Sequence, residues 1–116
     1  MGLISLETLQ NTCAGDRDMM EEMLKMGRLS VTTALTDIDG ALAGGQWDLL
    51  ARAVHKVRPV LSYFGIGSLN DDLLVIERNA RERKDVAALP AMINAVTARL
   101  KDLLLELEQQ LAGLHG

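Results

Sequence analysis

The chain has 116 residues, of which 48% are hydrophobic and 24% are charged, and its formal net charge is -4. This length suits one domain, and the composition is too apolar for a disordered chain. One Phe, one Tyr and one Trp are too few aromatic residues for a β-sandwich or barrel, and the acidic balance lacks the basic surface typical of nucleic-acid-binding proteins. We therefore predict a single all-α domain over residues 1–116.

Two helices are predicted in the first 45 residues, each bounded by glycine. The first is short, with Ser5 as its N-cap and Gly15 at its end. Asp16 is the predicted N-cap of a long second helix, which Gly44 and Gly45 end. The apolar stripe of the second helix advances by threes and fours and consists of Met20, Leu24, Gly27, Val31, Ala34, Leu35, Ile38 and Leu42.

Three further helices are predicted after residue 45. The third runs from about Gln46 to Phe64 and ends at the turn around Gly65, the fourth ends in the charged stretch 81–85, and the fifth begins at Pro90. The stripes of the last two consist of Leu69, Leu73, Ile76 and Ala80, and of Ile93, Val96, Leu100, Leu103 or Leu104, Leu107 and Leu111. Four long amphipathic helices with short connections predict an antiparallel four-helix bundle, with the short first helix covering one end.

His55 lies on the outer face of the predicted third helix. At about 100° per residue, the apolar residues of this helix cluster on the opposite side, and that face must enter the core. They are Leu50, Ala53, Val57, Val60, Leu61 and Phe64. His55 is therefore predicted to point to solvent.

Of the three segments 1–45, 46–68 and 69–116, only the one around His55 has net positive charge, with three basic residues against one acidic residue between positions 46 and 68. Arg58, one turn after the histidine, could reach an anion attached to the imidazole ring, and Ser62 could donate one more hydrogen bond. Arg52 and Lys56 extend the cationic surface. The alternative for the three basic residues is an ordinary solvated face.

Pro59 stands inside the third helix, where it has no N–H to give to the carbonyl oxygen of His55. In an ordinary helix interior, proline costs about 3 kcal/mol, and such local costs often occur at functional sites. The alternative is that Pro59 ends the helix early. The apolar stripe continues in phase from Val57 to Phe64, which favours a kinked but continuous helix.

The chain resembles the histidine-containing phosphotransfer (HPt) domain family of bacterial and eukaryotic phosphorelays over nearly its whole length. The motif is a histidine, a basic residue three later, a small residue four later, and a glycine ten later that precedes further apolar residues. In this sequence these residues are His55, Arg58, Pro59 and Gly65, followed by Ile66 and Leu69. The family usually has lysine at the position of Arg58 and more often glycine at the position of Pro59.

The resemblance implies that His55 accepts a phosphoryl group from a phospho-aspartate of a receiver domain and passes it to another receiver aspartate. A neutral imidazole is a competent nucleophile, and an ordinary histidine is mostly neutral in the cytoplasm. Arg58, Ser62 and Lys56 are the predicted supports of the phosphoryl group, and Gly65 is the structural glycine of the motif. Such a phosphocarrier has no ATP-dependent kinase activity. No cofactor is expected on this chain, because Mg²⁺ should come from the receiver.

The expected partners are response-regulator receiver domains and a hybrid histidine kinase. The predicted docking face consists of Ala51, which leaves the approach to the ring open, together with Arg52, Pro59, Met19 and Met23. With Met26, the two methionines lie on one flank of the second helix, where adaptable side chains suit several partners. The alternative is that they belong to the periphery of the core.

The chain is expected to be a cytoplasmic monomer that binds neither nucleic acid nor membrane. Cys13 is the only cysteine, so no internal disulfide can form, which suits a reducing compartment. No apolar run approaches the ~18 residues that span a bilayer, and the amino terminus lacks the basic and apolar regions of a signal peptide.

Two other functions compete with this prediction. A sensor kinase dimerisation domain also displays a histidine on a helix, but an acidic residue follows that histidine, whereas Lys56 stands here. The second is a helical module that binds partners without phosphotransfer, with His55 incidental. A metal site is not predicted, because His115 has no partner ligands at zinc-like spacing.

Overall fold

The computed structural model describes residues 6–115, and this part of the chain is all-helical, as predicted. The elements are α1 (Leu6–Cys13), α2 (Arg17–Ala43), α3 (Trp47–Tyr63), α4 (Gly67–Glu82), a 3₁₀ turn (Val86–Ala88) and α5 (Leu89–His115). The molecule is elongated, with extents of 44 × 23 × 20 Å.

Two of the helix boundaries lie at residues that the sequence predicts to cap or end a helix. Asp16 caps α2 as predicted, and its Oδ1 accepts a hydrogen bond from the backbone N–H of Met19 at 3.2 Å. Gly65 follows α3 with φ of +71°, a left-handed conformation that favours glycine. The predicted N-cap Ser5 lies outside the described residues. α5 follows the 3₁₀ turn directly and begins at Leu89, one residue before the predicted start at Pro90.

The four long helices share one apolar core. α2 packs against α3 and α5, α4 packs against the same two helices, and α1 packs against α2 and α3. Every α4 and α5 stripe position except Leu104 is buried, and Leu104 packs against the core while partly exposed. The predicted inner face of α3 is also entirely buried: Leu50, Ala53, Val57, Val60, Leu61 and Phe64. The core therefore holds α3 with the opposite face outward.

Gly27 allows a close approach inside this core. A Cβ atom added at Gly27 would lie 2.7 Å from Cε2 of Phe64 and 3.5 Å from Cδ1 of Leu107. Gly27, Phe64 and Leu107 are all buried, so the ring of Phe64 occupies the space that a side chain at Gly27 would need. We call these three residues the apolar junction.

None of the helices in the described range combines the length and apolarity that a membrane span requires.

Candidate functional site around His55

The imidazole of His55 is exposed on α3. Its side chain retains 59% of its accessible surface, which confirms the prediction that it points to solvent. α3 runs without a break through Pro59 to Tyr63, so the proline is internal to the helix, again as predicted. An uninterrupted α3 keeps Arg58 and Ser62 at helical spacing from the histidine.

A carboxylate that the sequence analysis missed lies directly beside the ring. Glu77 on α4 is buried, with a relative accessibility of 6%, and its Oε2 lies 3.2 Å from Nδ1 of His55. The sequence carried a signal for it, because Glu77 falls one turn after Leu73 and one turn before Ala80 in the buried stripe of α4. A carboxylate on a buried face needs polar or cationic partners, and that requirement points to a neighbouring helix.

Two arginines complete the surroundings of this carboxylate. Arg58 donates from Nη1 to Oε1 of Glu77 at 3.1 Å, and Nη2 of Arg81 lies 3.4 Å from Oε2. Arg58 is partly buried and Arg81 is half-exposed, whereas the carboxylate itself is almost fully covered. We call Glu77, His55, Arg58 and Arg81 the Glu77 cluster. It consists of one buried carboxylate surrounded by two guanidinium groups and one imidazole ring.

A second pair of hydrogen bonds links α3 to the start of α4. Arg58 donates from Nε to Oδ1 of Asn70 at 3.0 Å, and Nδ2 of Asn70 donates to Oγ of Ser62 at 3.3 Å. Together with His55 and Pro59, these three residues line one shallow depression. The structure therefore brings His55, Arg58, Pro59 and Ser62 together as the sequence predicted, and it adds Asn70.

The contact with Glu77 selects one tautomer of a neutral His55 ring. A carboxylate can only accept a hydrogen bond, so Nδ1 must carry the hydrogen that it donates to Glu77. The lone pair is then on Nε2, the ring nitrogen turned away from the carboxylate. An exposed imidazole with a free Nε2 lone pair is a nucleophile that a partner's reactive group can approach.

Ala51 does not belong to an exposed docking face, and that prediction is wrong. Its relative accessibility is 1% and it forms part of the core. On the helical wheel it lies about 40° from His55, on the same side as Arg58, whose side chain bonds to residues of α4. The packing of α4 against α3 therefore extends far enough around the helix to cover this position.

Arg52 and Lys56 are exposed, but they lie on the other flank of α3. Both line a depression between α2 and α3, and Lys56 lines a second one beside it. Neither residue lines the depression that contains His55. The cationic surface predicted as one patch is thus divided between two sides of the helix.

The methionines of α2 separate into two environments. Met19 and Met26 are exposed at 46% and 41%, whereas Met23 packs against the core and its Sδ lies 3.2 Å from Sγ of Cys13. Burial, and secondarily the negative charge of Asp16, raise the pKa of the Cys13 thiol. A buried thiol that resists ionisation is a poor nucleophile, so Cys13 does not compete with His55 as a reactive group.

Comparison with protein-family models, with curated proteins and with solved structures finds no match to this chain. Among the described side chains, no group of three or more His, Cys, Asp or Glu residues is arranged to hold a metal ion. The functional conclusion therefore depends on the chemistry of the surface around His55.

Proposed function

We propose that this protein is an HPt-type phosphocarrier of a two-component phosphorelay, an antiparallel four-helix bundle that carries a phosphoryl group on His55 between receiver domains. The observation that supports the proposal best is the pairing of an exposed imidazole with a buried carboxylate at Nδ1. A surface histidine without a role needs no such partner, and burying a carboxylate is costly.

The proposed reaction is an in-line displacement at phosphorus. The Nε2 lone pair of His55 attacks the phosphoryl group on a receiver aspartate, an N–P bond forms, and the P–O bond to the aspartate breaks. The bonding electron pair leaves with the aspartate carboxylate. The reverse step on a second receiver returns His55 to its starting state, so the histidine carries the group without being consumed.

The Glu77 cluster has a specific role in this step. The Nδ1 hydrogen remains on the ring when Nε2 is phosphorylated, so the ring becomes cationic while Nδ1 still faces Glu77. The carboxylate thereby stabilises the charge that develops on the imidazole, in a partly dehydrated place where electrostatic interactions are strong. Arg58 supports the phosphoryl oxygens, and the receiver supplies the Mg²⁺ that neutralises the remaining charge.

The decisive experiment is phosphotransfer from a panel of phosphorylated receiver domains. We expect the wild-type protein to acquire an acid-labile phosphoryl group, and we expect His55→Gln to acquire none. His115→Gln is the matched control, because His115 is the only other histidine, and it should be phosphorylated like the wild type.

Two results would contradict the proposal. If neither the wild type nor His55→Gln is phosphorylated by any receiver, while receivers still bind, the domain is a binding module. Phosphorylation of His55 from ATP by the isolated protein would instead identify a kinase activity.

A further inference from the structure

We infer that Asn70 is a positioning residue of the phosphoryl site, acting through Arg58 and Ser62. The inference rests on the proposed function. The side chain of Asn70 forms hydrogen bonds with Arg58 and Ser62, two side chains that share its depression with His55. It stands in the first turn of α4, where its backbone N–H bonds to the carbonyl oxygen of Ile66, so its backbone is fixed by the helix start.

The chemistry of arginine determines how the Asn70 amide is oriented. The Nε of Arg58 can only donate, so the Asn70 atom 3.0 Å from it must be the amide oxygen. The amide nitrogen is then directed at Oγ of Ser62, 3.3 Å away. One amide group therefore accepts from one neighbour and donates to the other, which neither aspartate nor leucine can do at this position.

This arrangement sets the direction of the Ser62 hydroxyl. Because Oγ accepts a hydrogen bond from Asn70, one of its lone pairs is occupied and its hydrogen is left to donate elsewhere. Ser62 is exposed and lines the depression with His55. Asn70 thus converts a rotatable hydroxyl into a donor available to a phosphoryl oxygen on Nε2.

The same amide fixes the plane of the Arg58 guanidinium. Its Nε is held by Asn70 and its Nη1 by Glu77, two acceptors that stand on α4. Neither bond uses the Nη2 amino group. With the planar group fixed at two points, the remaining N–H donors have a set direction. A donor that is already oriented loses less conformational entropy when it binds a phosphoryl group than a mobile donor does.

The test measures phosphotransfer rates from one phosphorylated receiver to the wild type, Asn70→Ala, Asn70→Asp, Ser62→Ala and Asn70→Ala with Ser62→Ala. We expect Asn70→Ala to slow transfer about tenfold. Asn70→Asp should lose less, because its carboxylate still accepts from Arg58. Ser62→Ala should add little to Asn70→Ala, because Asn70 acts partly through Ser62. Asn79→Ala, at the other asparagine of α4, is the control and should transfer normally.

A second measurement reads the positioning without any phosphoryl transfer. Hydrogen exchange of the Arg58 Nε–H, followed by NMR, should accelerate in Asn70→Ala and stay slow in Asn70→Asp.

Equal exchange in the wild type and Asn70→Ala would overturn the inference, and so would fully additive losses in the double variant. Normal transfer by Asn70→Ala would overturn the inference alone, whereas a wild type that never accepts a phosphoryl group would overturn the proposed function. Asn70→Asp keeps both measurements interpretable if Asn70→Ala does not fold.

Discussion

The Glu77 cluster and the apolar junction hold helices together by opposite kinds of contact. In the cluster, α3 and α4 meet through charged groups, with one carboxylate between two guanidiniums and a ring. At the junction, Gly27 of α2 lies against the ring of Phe64 with no space for even one methyl group. Between them lies α3, whose inner face is apolar and whose outer face carries His55.

This difference indicates that the two regions contribute differently to the stability of the fold. Close apolar packing stabilises a fold, whereas a buried ion pair gains little over apolar side chains of the same shape. The charges of the Glu77 cluster are therefore better explained by what they do to His55 than by their contribution to folding. Four predictions test this distinction, beginning with the largest expected effect.

Removing the carboxylate from the Glu77 cluster should have the largest effect on stability. Glu77→Ala leaves the partly buried Arg58 without its ionic partner, and we expect the free energy of unfolding to fall by about 3 kcal/mol in urea titrations. Glu82→Ala, an exposed position at the end of α4, should change it by less than about 0.5 kcal/mol. Equal effects at the two positions would show that the cluster carries no special interaction.

Adding one methyl group at the apolar junction should be destabilising. Gly27→Ala forces the buried ring of Phe64 to move, and the cost of overpacking exceeds the gain in helix propensity, for a net loss of about 2 kcal/mol. Gly40→Ala is the matched control, because it lies in the same helix with nothing within 4 Å of an added Cβ, and it should gain up to about 1 kcal/mol. Urea midpoints of the two variants should thus move in opposite directions.

Replacing the proline beside the imidazole should stabilise the protein. Pro59→Ala restores an N–H that can bond the carbonyl oxygen of His55, and it removes the crowding by the proline ring. The unfolded chain gains freedom in return, so we expect a net gain of about 1–2 kcal/mol in the free energy of unfolding. A loss of stability would mean that the proline ring makes contacts that outweigh the missing hydrogen bond.

The smallest effect belongs to an exposed ion pair outside both regions. Arg83 donates to Asp48 at 3.0 Å and lowers the pKa of that carboxyl below its ordinary value, mainly through this hydrogen bond. The ion pair therefore contributes to stability at pH values above the ordinary aspartate pKa. This contribution is lost as the pH falls through the lower pKa that Asp48 has in the folded protein. NMR titration should show the Asp48 midpoint rising in Arg83→Gln, with little change in overall stability. An unchanged midpoint would contradict the pairing.

Local signals in the sequence were enough to predict the helices. Asp16 and Gly65 have capping and turn roles that depend only on their own neighbours, and both are observed. The outward position of His55 also follows from one helix alone, because the apolar face on the opposite side of α3 must enter the core.

The features that sequence reasoning missed all depend on a second helix. Ala51 is covered by packing from outside its own helix, and a wheel drawn for α3 alone does not say how far round the neighbouring helices reach. Glu77 stands 22 residues after His55, so no short motif joins them. Lys56 and Arg58 are two residues apart and so lie on opposite flanks of α3, but the neighbour that each one meets, the groove beside α2 or the surface of α4, depends on how those helices pack.

The contact between Cys13 of α1 and Met23 of α2 allows local opening of the protein to be measured without an added label. Cys13 is the only cysteine, and its relative accessibility is 1%, so an alkylating reagent can reach it only when the packing around it opens. The alkylation rate of the unlabelled native protein, measured by mass spectrometry, therefore reports how often this end of the molecule opens.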